Sequence, residues 1–519
     1  MKNMKRTWIA MLLLVAMILT AGCGAQETAS AGDDAPAPAE PKIFVYARGA
    51  DSISLDSAYV SDGESSKVLN QIADTLVRYK EGSTEIMPWL AESWDISEDG
   101  TEYTFHLREG VKFHDGSDFT ADAVVWSFDR QLEGNRTSDM PYASFTYAGV
   151  KSVEAVDDLT VKITLEGPST PFLANLAMSL SVQIYKPGDD VAENPIGTGP
   201  YKLESWKKDE SITLVKNEDF WGQAPSFDKL IFKVTKENAV RATELMSGSV
   251  DMIDGISFND VEQLESSGDV TVEKVAGMNI NYMAFNTTRA PFDKLEARVA
   301  VAKAINTQEI VDFLYQGYAT KAESFFPDFM PGYNGDPGLI EYDVEAAKAE
   351  VAAAGLDKEP IKIICYSNPR PYNPAGGKLA ETVQAYLNEV GISAEVVVYP
   401  WTDYRDKVNQ YEGDIYFMGW IGDNGDPDNF LTLLEGASIG GLNDTGWSSP
   451  EFDALMAQGR ELPNGEERWN VYMQAQEVLA KEVPWVPISH AMDLGAWRSN
   501  VTGFQLHPTG RVSLFGVDK

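Results

Sequence analysis

A serine and a histidine in the second half of the chain match part of a hydrolase pattern. Residues 436–440, with the sequence GASIG, fit the G-x-S-x-G motif around a nucleophilic serine, and His490 follows as a candidate base. Such a nucleophile needs a strand before it and a helix after it. Here residues 429–435 are predicted to be a helix and residues 441–444 a loop. The predicted elements around the motif therefore argue against a secreted hydrolase. We expect the protein not to be an enzyme.

Metal-binding chemistry also finds no support in the sequence. Asp423, Asp426 and Asp428 are spaced closely enough to suggest calcium, but Pro427 interrupts the loop and its sixth position is not glycine. The chain has two cysteines and lacks both H-E-x-x-H and the phosphate-binding pattern G-x-x-x-x-G-K-[ST]. Its histidines are His106, His114, His490 and His507. We expect no metal, no cofactor and no ATP hydrolysis by this chain.

Two residues of opposite charge follow predicted strands. Asp423 comes after the predicted strand at 415–420, and Arg370 comes after Ile361–Tyr366. Ligands of open α/β sheets lie outside the carboxyl ends of the strands. A carboxylate can accept hydrogen bonds from an ammonium group, and a guanidinium can hold a carboxylate through two of them. From the residues alone, a loop-capping aspartate and a solvated arginine remain the alternatives.

The elements that would position these residues differ between the two halves of the chain. The first half is predicted to contain a helix at 65–79 and hairpins at 94–113, at 150–165 and around 197–201. Beyond about residue 286, helices and strands alternate, which predicts a mainly parallel sheet. These elements are helix 295–315, helix Val344–Ala354, strand Ile361–Tyr366, helix 378–390, strand Ala394–Tyr399, helix 402–410 and strand 415–420. We expect a ligand site between the two halves.

The composition excludes one class of partner. The 519 residues include 42 Lys and Arg against 79 Asp and Glu, so the formal net charge is −37. Such a chain repels phosphate backbones, and we expect no nucleic-acid partner. With 44% hydrophobic residues it has the composition of a globular protein, and its length predicts about three domains. No pattern indicates an oligomer, so a monomer is expected.

The first 41 residues predict where the protein works. Residues 1–22 have a charged start followed by an apolar stretch at 8–19, which is typical of a signal peptide and too short for a spanning helix. The run ends at Cys23 in a sequence similar to the lipobox of bacterial lipoproteins; an ordinary cleaved signal peptide is the alternative. Residues 23–41 lack large apolar side chains and predict a lipidated, disordered tether. We expect an extracytoplasmic protein, lipid-anchored to the cell membrane in a periplasm or on a Gram-positive surface.

Several ordered motifs resemble those of the family 5 solute-binding proteins of ABC importers. They are Trp94, Glu98-Asp99-Gly100, residues 103–108 and 110–116, Thr120-Ala121-Asp122, residues 197–203, Phe220-Trp221-Gly222 and Phe285-Asn286. Two further stretches, RPYNP at 370–374 and MGWIGDNGDPDNF at 418–430, resemble the bacterial dipeptide-binding proteins in particular. The resemblance covers the chain from about residue 42 onward.

The resemblance implies an α/β fold of the type II-like periplasmic-binding-protein kind, in which two lobes close on a ligand like a Venus flytrap and an extra domain is inserted. Domain I is expected to comprise residues 42–82, 194–285 and 493–519. The inserted domain II would span 83–193 and domain III 286–492.

The resemblance also implies a function and its residues. The protein would capture short peptides, dipeptides above all, and deliver them to permease subunits driven by cytoplasmic ATPases. Asp423 matches the aspartate that anchors the peptide's amino end, and Arg370 matches the arginine that takes its carboxylate. Trp401 and Trp420 match aromatic residues of the pocket, with plain core tryptophans as the alternative. Longer oligopeptides, nickel chelates, haem and glutathione are other ligands that the family allows.

Overall fold

The computed structural model describes residues 40–188 and 190–519. The predicted signal peptide, Cys23 and the tether up to residue 39 lie outside these residues, so their assignment stays a prediction. Lys42–Lys519 forms one compact unit. Within the described ranges, no helix combines the length and the apolar character that a membrane span requires.

The strands of the described part lie along the whole chain. They are β1 (Ile43–Arg48), β2 (Val77–Tyr79), β3 (Ile86–Pro88), β4 (Ala91–Ile96), β5 (Glu102–Leu107), β6 (Val150–Asp157), β7 (Thr160–Leu165), β8 (Tyr201–Lys207), β9 (Ser211–Lys216), β10 (Lys229–Val234), β11 (Met252–Ile253), β12 (Val270–Ala276), β13 (Asn279–Phe285), β14 (Ala319–Lys321), β15 (Ile361–Tyr366), β16 (Ala394–Tyr399), β17 (Ile415–Ile421) and β18 (Trp485–Arg498).

The longer helices concentrate in the second half. The helices are α1 (Gly63–Ile72), α2 (Ala121–Asp129), α3 (Ala143–Thr146), α4 (Phe172–Asn175), α5 (Asn238–Met246), α6 (Val261–Ser266), α7 (Leu295–Ala304), α8 (Thr307–Tyr315), α9 (Val344–Ala354), α10 (Gly376–Glu389), α11 (Trp401–Asn409), α12 (Asp428–Leu431), α13 (Pro450–Glu461) and α14 (Glu466–Glu482).

One large mixed sheet forms the frame of the protein. Its order is β16-β15-β17-β13-β18-β11-β1-β10-β9-β8, and β12 and β14 also pair with β18. β15 is parallel to β16 and β17, as predicted for the second half. β13, which precedes this half, is antiparallel to both of its neighbours, β17 and β18, so the complete sheet is mixed. β12 and β13 pair with consecutive stretches of β18 and run in the same direction along it.

β18 lies in the middle of this sheet and joins its two parts. It is 14 residues long. Its first residues pair with β13 and β14, and its last residues pair with β12 and β11. A separate antiparallel sheet, β4-β5-β7-β6, contains the two hairpins that the sequence predicted at 94–113 and 150–165.

The first predicted helix was too long. The helix predicted at 65–79 begins at Gly63 and ends at Ile72, and a short strand follows. Asp74 explains this end, because its carboxylate accepts hydrogen bonds from the indole of Trp89 at 2.6 Å and from the hydroxyl of Thr198 at 2.8 Å. These tertiary contacts end the helix at Ile72, although the apolar residues beyond it keep a helical spacing.

The helix predicted at 295–315 is two helices, α7 and α8. The break lies at Ile305 and Asn306. The Asn306 side chain accepts a hydrogen bond from the backbone N–H of Glu309 at 3.1 Å. Asparagine is favoured at this capping position, so it starts a new helix.

The hairpin predicted around 197–201 was also wrong. The chain reverses at residues 208–210, between β8 and β9. Gly197 and Gly199 instead lie against the end of α1, where the Gly199 N–H donates to the Ile72 carbonyl at 2.9 Å. A Cβ on Gly197 would lie 2.2 Å from the same carbonyl oxygen, so this close approach requires glycine.

Apolar side chains are buried in separate clusters. The largest lies around β13, β15 and β17, with helices of the second half packed on it. It includes Cys365 of β15, which is fully buried, and burial raises the pKa of its thiol to about 12. A second cluster covers β5 and β7, and a third surrounds β1, β9 and β10. The boundaries of the three expected domains stay a prediction.

Two arginines hold the loop that follows β17. The Arg468 guanidinium, fully buried on α14, binds both carboxylate oxygens of Asp426 at 2.7 and 2.8 Å. Nε of Arg460 on α13 lies 2.8 Å from the Asp428 carboxylate. These two ion pairs therefore attach the loop to α13 and α14.

We predict that Arg468→Met destabilises the protein by about 3–5 kcal/mol, because it leaves the buried Asp426 carboxylate without its partner. Urea unfolding measures the loss. As a control, Lys207→Ala removes an exposed pair with Glu210 and should leave the unfolding curve unchanged. A loss below about 1 kcal/mol in Arg468→Met would contradict the supporting role of the ion pair.

Candidate functional site

The structure brings all four predicted binding residues to one cavity. Asp423, Arg370, Trp401 and Trp420 line a space of about 350 Å³. This volume lies near the lower end of the range for small-molecule sites. Other lining residues come from distant parts of the chain, namely Ser61, Gly63, Ser66, Tyr142, Met178, Ser179, Leu180, Tyr282, Tyr372, Arg405, Met418, Gly419, Ile421, Leu433, Leu442, Asp444, Thr509 and Gly510.

Asp423 is an ionisable group without a counter-ion. One carboxylate oxygen, Oδ1, accepts a hydrogen bond from the Tyr142 hydroxyl at 3.0 Å. The other, Oδ2, is buried without a hydrogen-bond partner, and no cationic side chain of the described ranges lies within 4.0 Å of the carboxylate. Burial raises the pKa of Asp423 from 3.8 to about 7, although the hydrogen bond from Tyr142 and the nearby side chain of Asn429 act in the opposite direction. A bound cation would supply the missing partner.

Arg370 also lacks a charged partner. Its guanidinium carbon lies 4.1 Å from the ring centre of Trp401, a cation–π contact. No carboxylate in the described part of the chain lies within 4.0 Å of it. A tight turn after β15 positions the arginine, because the Arg370 and Asn373 main chains exchange hydrogen bonds at 2.8 and 3.0 Å. The guanidinium is thus available to an anion.

The two predicted tryptophans are partly exposed at the cavity. Trp401 begins α11 and packs edge-on against Tyr366, with ring centres 5.2 Å apart. Trp420 lies near the end of β17, and its indole N–H donates to Asn429 Oδ1 at 2.8 Å. Both rings also pack against the large hydrophobic cluster, so each combines a core contact with an exposed face.

The sequence analysis missed several residues of the cavity. Arg405 and Asp444 form an ion pair there, with Arg405 Nη1 3.0 Å from Asp444 Oδ2. Arg405 could have been found, because it follows Trp401 by four residues on α11 and so shares its face. Burial raises the pKa of Asp444, and the Arg405 guanidinium opposes that rise. Tyr142 and Asp444 gave no local signal, since only the tertiary fold brings them to the cavity.

The residues of the hydrolase pattern do not form the strand-turn-helix arrangement that a nucleophilic serine needs. Ser438 lies in the short 3-10 helix Gly436–Ser438, with no strand leading into it. The Nδ1 of His490 donates to the Asn279 carbonyl at 2.6 Å, and no hydrogen bond joins the imidazole to Ser438 within the described chain. These positions support the expectation that the motif has no catalytic role.

The comparisons with known proteins cover most of the chain. The family described as "Bacterial extracellular solute-binding proteins, family 5 Middle" matches residues 85–441. Heme-binding protein A of Haemophilus influenzae is 34% identical over 97% of this chain and 98% of its own length. The dipeptide-binding protein of Escherichia coli is 34% identical over 96% of both chains.

A solved structure has a similar fold. An ABC transporter-associated periplasmic binding protein from Helicobacter pylori, in complex with the peptide STSA, superposes with a TM-score of 0.79. It shares 35% sequence identity, over 92% of this chain and 97% of the other. The two-lobed, mixed α/β fold predicted from the sequence is therefore confirmed.

The chain belongs to the family 5 bacterial extracellular solute-binding proteins of ABC importers. The resemblance found in the sequence motifs is thereby confirmed, and the relatives named above are binding proteins by name.

We predict that the Asp423 carboxyl titrates near pH 7 in the ligand-free protein, because burial disfavours its charged form. Carbon-13 NMR of aspartate-labelled protein measures this midpoint, and Asp423→Asn assigns the signal. Tyr142→Phe should move the midpoint to higher pH, because it removes a hydrogen bond to the ionised form. As a control, Tyr342→Phe alters an exposed tyrosine and should change nothing. A midpoint near 4 would refute the prediction.

Proposed function

We propose that the protein captures short peptides, dipeptides above all, between two closing lobes and delivers them to the membrane permease of an ABC importer. The observation that carries this proposal is the pair of uncompensated charges, Asp423 and Arg370, at a single cavity. A free dipeptide carries an ammonium and a carboxylate group a short distance apart. Asp423 would bind the ammonium and Arg370 the carboxylate, each through charge-assisted hydrogen bonds worth about 1.5–3 kcal/mol.

The size and walls of the cavity support a short ligand of variable sequence. About 350 Å³ favours a few residues over a long peptide. Trp401 and Trp420 offer flat apolar surfaces, and such contacts are nondirectional, so they tolerate different side chains. The relatives named for dipeptide binding and for a peptide complex agree with this ligand class.

Closure would follow from contacts on both sides of the cavity. Tyr142 and residues 178–180 belong to the expected inserted domain, whereas Asp423 and Arg370 belong to the expected third domain. A ligand that touches both groups only in the closed form shifts the population toward that form. The importer would then recognise the closed protein.

The proposal includes a place of action. Cys23 would carry the lipid that anchors the protein to the cell membrane, with residues 23–41 as a tether, in a periplasm or on a Gram-positive surface. The protein would act as a monomer and without enzymatic activity. Its partners would be permease subunits with cytoplasmic ATPases.

We predict that the purified protein, freed of ligand by unfolding and refolding, binds a free dipeptide tightly. Calorimetric titration compares that dipeptide with its N-acetylated form, its C-amidated form and a pentapeptide. Loss of either terminal charge should weaken binding at least about tenfold, because one charge-assisted contact is lost. Equal binding of the pentapeptide would show that Arg370 does not select for length, and longer oligopeptides would then be the ligands.

Variants of the two anchors assign these losses. Asp423→Asn should weaken binding of the free dipeptide but leave the affinity for the N-acetylated form unchanged. Arg370→Ala should weaken binding of the free dipeptide but leave the affinity for the C-amidated form unchanged. Arg370→Lys should bind the free dipeptide more tightly than Arg370→Ala does, because it keeps the positive charge. If both variants bind the free dipeptide as the unaltered protein does, the assignment of the anchors is wrong.

We predict that dipeptide affinity falls by up to about tenfold per pH unit as the pH drops below 7. The reason is that the free protein holds a proton on Asp423 below that pH, and a bound ammonium group requires the ionised carboxylate. Binding must therefore release this proton. Titrations between pH 5 and pH 8 test the slope, and Asp423→Asn should remove it. A constant affinity between pH 5 and pH 7 would contradict the prediction.

Haem is a second candidate ligand, because a relative of equal identity is named heme-binding protein A. Absorbance titration with hemin, before and after saturation with dipeptide, tests it. If hemin binds and no dipeptide does, haem capture replaces peptide capture as the function.

A further inference from the structure

We propose that Asn429 is a positioning residue that holds the ammonium anchor Asp423 and the aromatic wall Trp420 in one arrangement. This inference rests on the proposed function for its consequence in binding. Its structural part concerns the ligand-free protein and can be tested without a ligand.

The contacts of Asn429 join the two binding residues directly. Its side-chain oxygen Oδ1 accepts a hydrogen bond from the Trp420 indole at 2.8 Å and a second from the backbone N–H of Asp423 at 3.1 Å. Asn429 itself is fully buried. One oxygen atom therefore fixes both the plane of an aromatic wall and the main chain that presents the anchor.

The orientation of this amide is determined by its partners. Both groups that point at Oδ1 are N–H donors, so a flipped amide would place its NH₂ group against them. The Nδ2 atom is buried and has no hydrogen-bond partner in the described part of the chain. Its neighbourhood includes the Asp423 carboxyl, since Asn429 helps to lower the pKa that burial raises.

Asn429 is itself tied to the rigid part of the loop. It lies in α12, and its backbone N–H donates to the Asp426 carbonyl at 3.1 Å. The Asp426 carboxylate is held by Arg468. A continuous set of hydrogen bonds thus runs from the buried arginine of α14 through Asp426 and Asn429 to Trp420 and Asp423.

The test uses the full protein labelled with 5-fluorotryptophan, with Trp420→Phe to assign the fluorine signal of Trp420. Asn429→Leu keeps a similar volume but cannot accept a hydrogen bond. We expect the Trp420 signal of the ligand-free protein to move in Asn429→Leu. Hydrogen exchange of the Asp423 amide should be faster in this variant than in the unaltered protein.

Affinity provides the functional half of the test. In Asn429→Leu we expect dipeptide binding to weaken about tenfold or more, because two supporting hydrogen bonds are lost. Asn286→Leu is the matched control: Asn286 is also buried and hydrogen-bonded, but it follows β13 at the end of the sheet away from Asp423. It should change neither the Trp420 signal nor the affinity. If Asn429→Leu does not fold, Asn429→Ser takes its place, since its hydroxyl is too short to reach both donors.

The outcomes separate this proposal from the proposed function. An unchanged Trp420 signal and unchanged Asp423 exchange in the leucine or serine variant would overturn the positioning role, whatever the protein binds. Unchanged affinity together with an altered signal would overturn its importance for binding. If the unaltered protein binds no dipeptide, peptide capture fails, while the fluorine and exchange measurements still decide the role of Asn429.

Discussion

The loop from Asp423 to Asn429 must present one carboxylate to the cavity although two others lie within five residues of it. Three neighbouring carboxylates raise one another's pKa and repel, unless cations compensate them. Arg468 binds Asp426 and Arg460 binds Asp428, so two of the three have a counter-ion, although burial still raises the pKa of Asp428 to about 6. Of the three, Asp423 alone has no cationic partner among the described residues. The recognition site depends on this division between compensated and uncompensated charge.

An uncompensated buried carboxylate costs stability, and this cost makes the site selective. The folded chain binds a proton at Asp423 up to about pH 7, whereas the unfolded chain releases it near pH 4. Raising the pH from about 4 to about 7 therefore lowers the stability of the ligand-free folded protein. A ligand with an ammonium group removes the penalty, and one without such a group does not. Arg370 in turn favours a ligand that carries an anionic group. The cavity therefore selects ligands by their two charges and by the distance between them, while its aromatic walls tolerate different side chains.

Much of the second half could be predicted because its elements have strong local signals. The bounds of α9, β15 and β16 agree with the prediction, since apolar runs, capping residues and glycine at helix ends define them. Asp423 and Arg370 could be found because each follows such a strand. The end of α1 was missed because Asp74 bonds to Trp89 and other distant partners. Tyr142 was missed because only the tertiary fold brings it to Asp423.

The buried cysteine of β15 has a practical consequence for studying motion. Cys365 has no exposed surface, and its thiol stays protonated at neutral pH because burial raises its pKa to about 12. Maleimide dyes react with thiolates, so this residue remains unlabelled in the folded protein. In a protein that begins at Lys42 it is also the sole cysteine. Dyes can therefore be attached to two introduced surface cysteines while Cys365 is kept, and energy transfer between the dyes then follows the distance between the sides of the cavity.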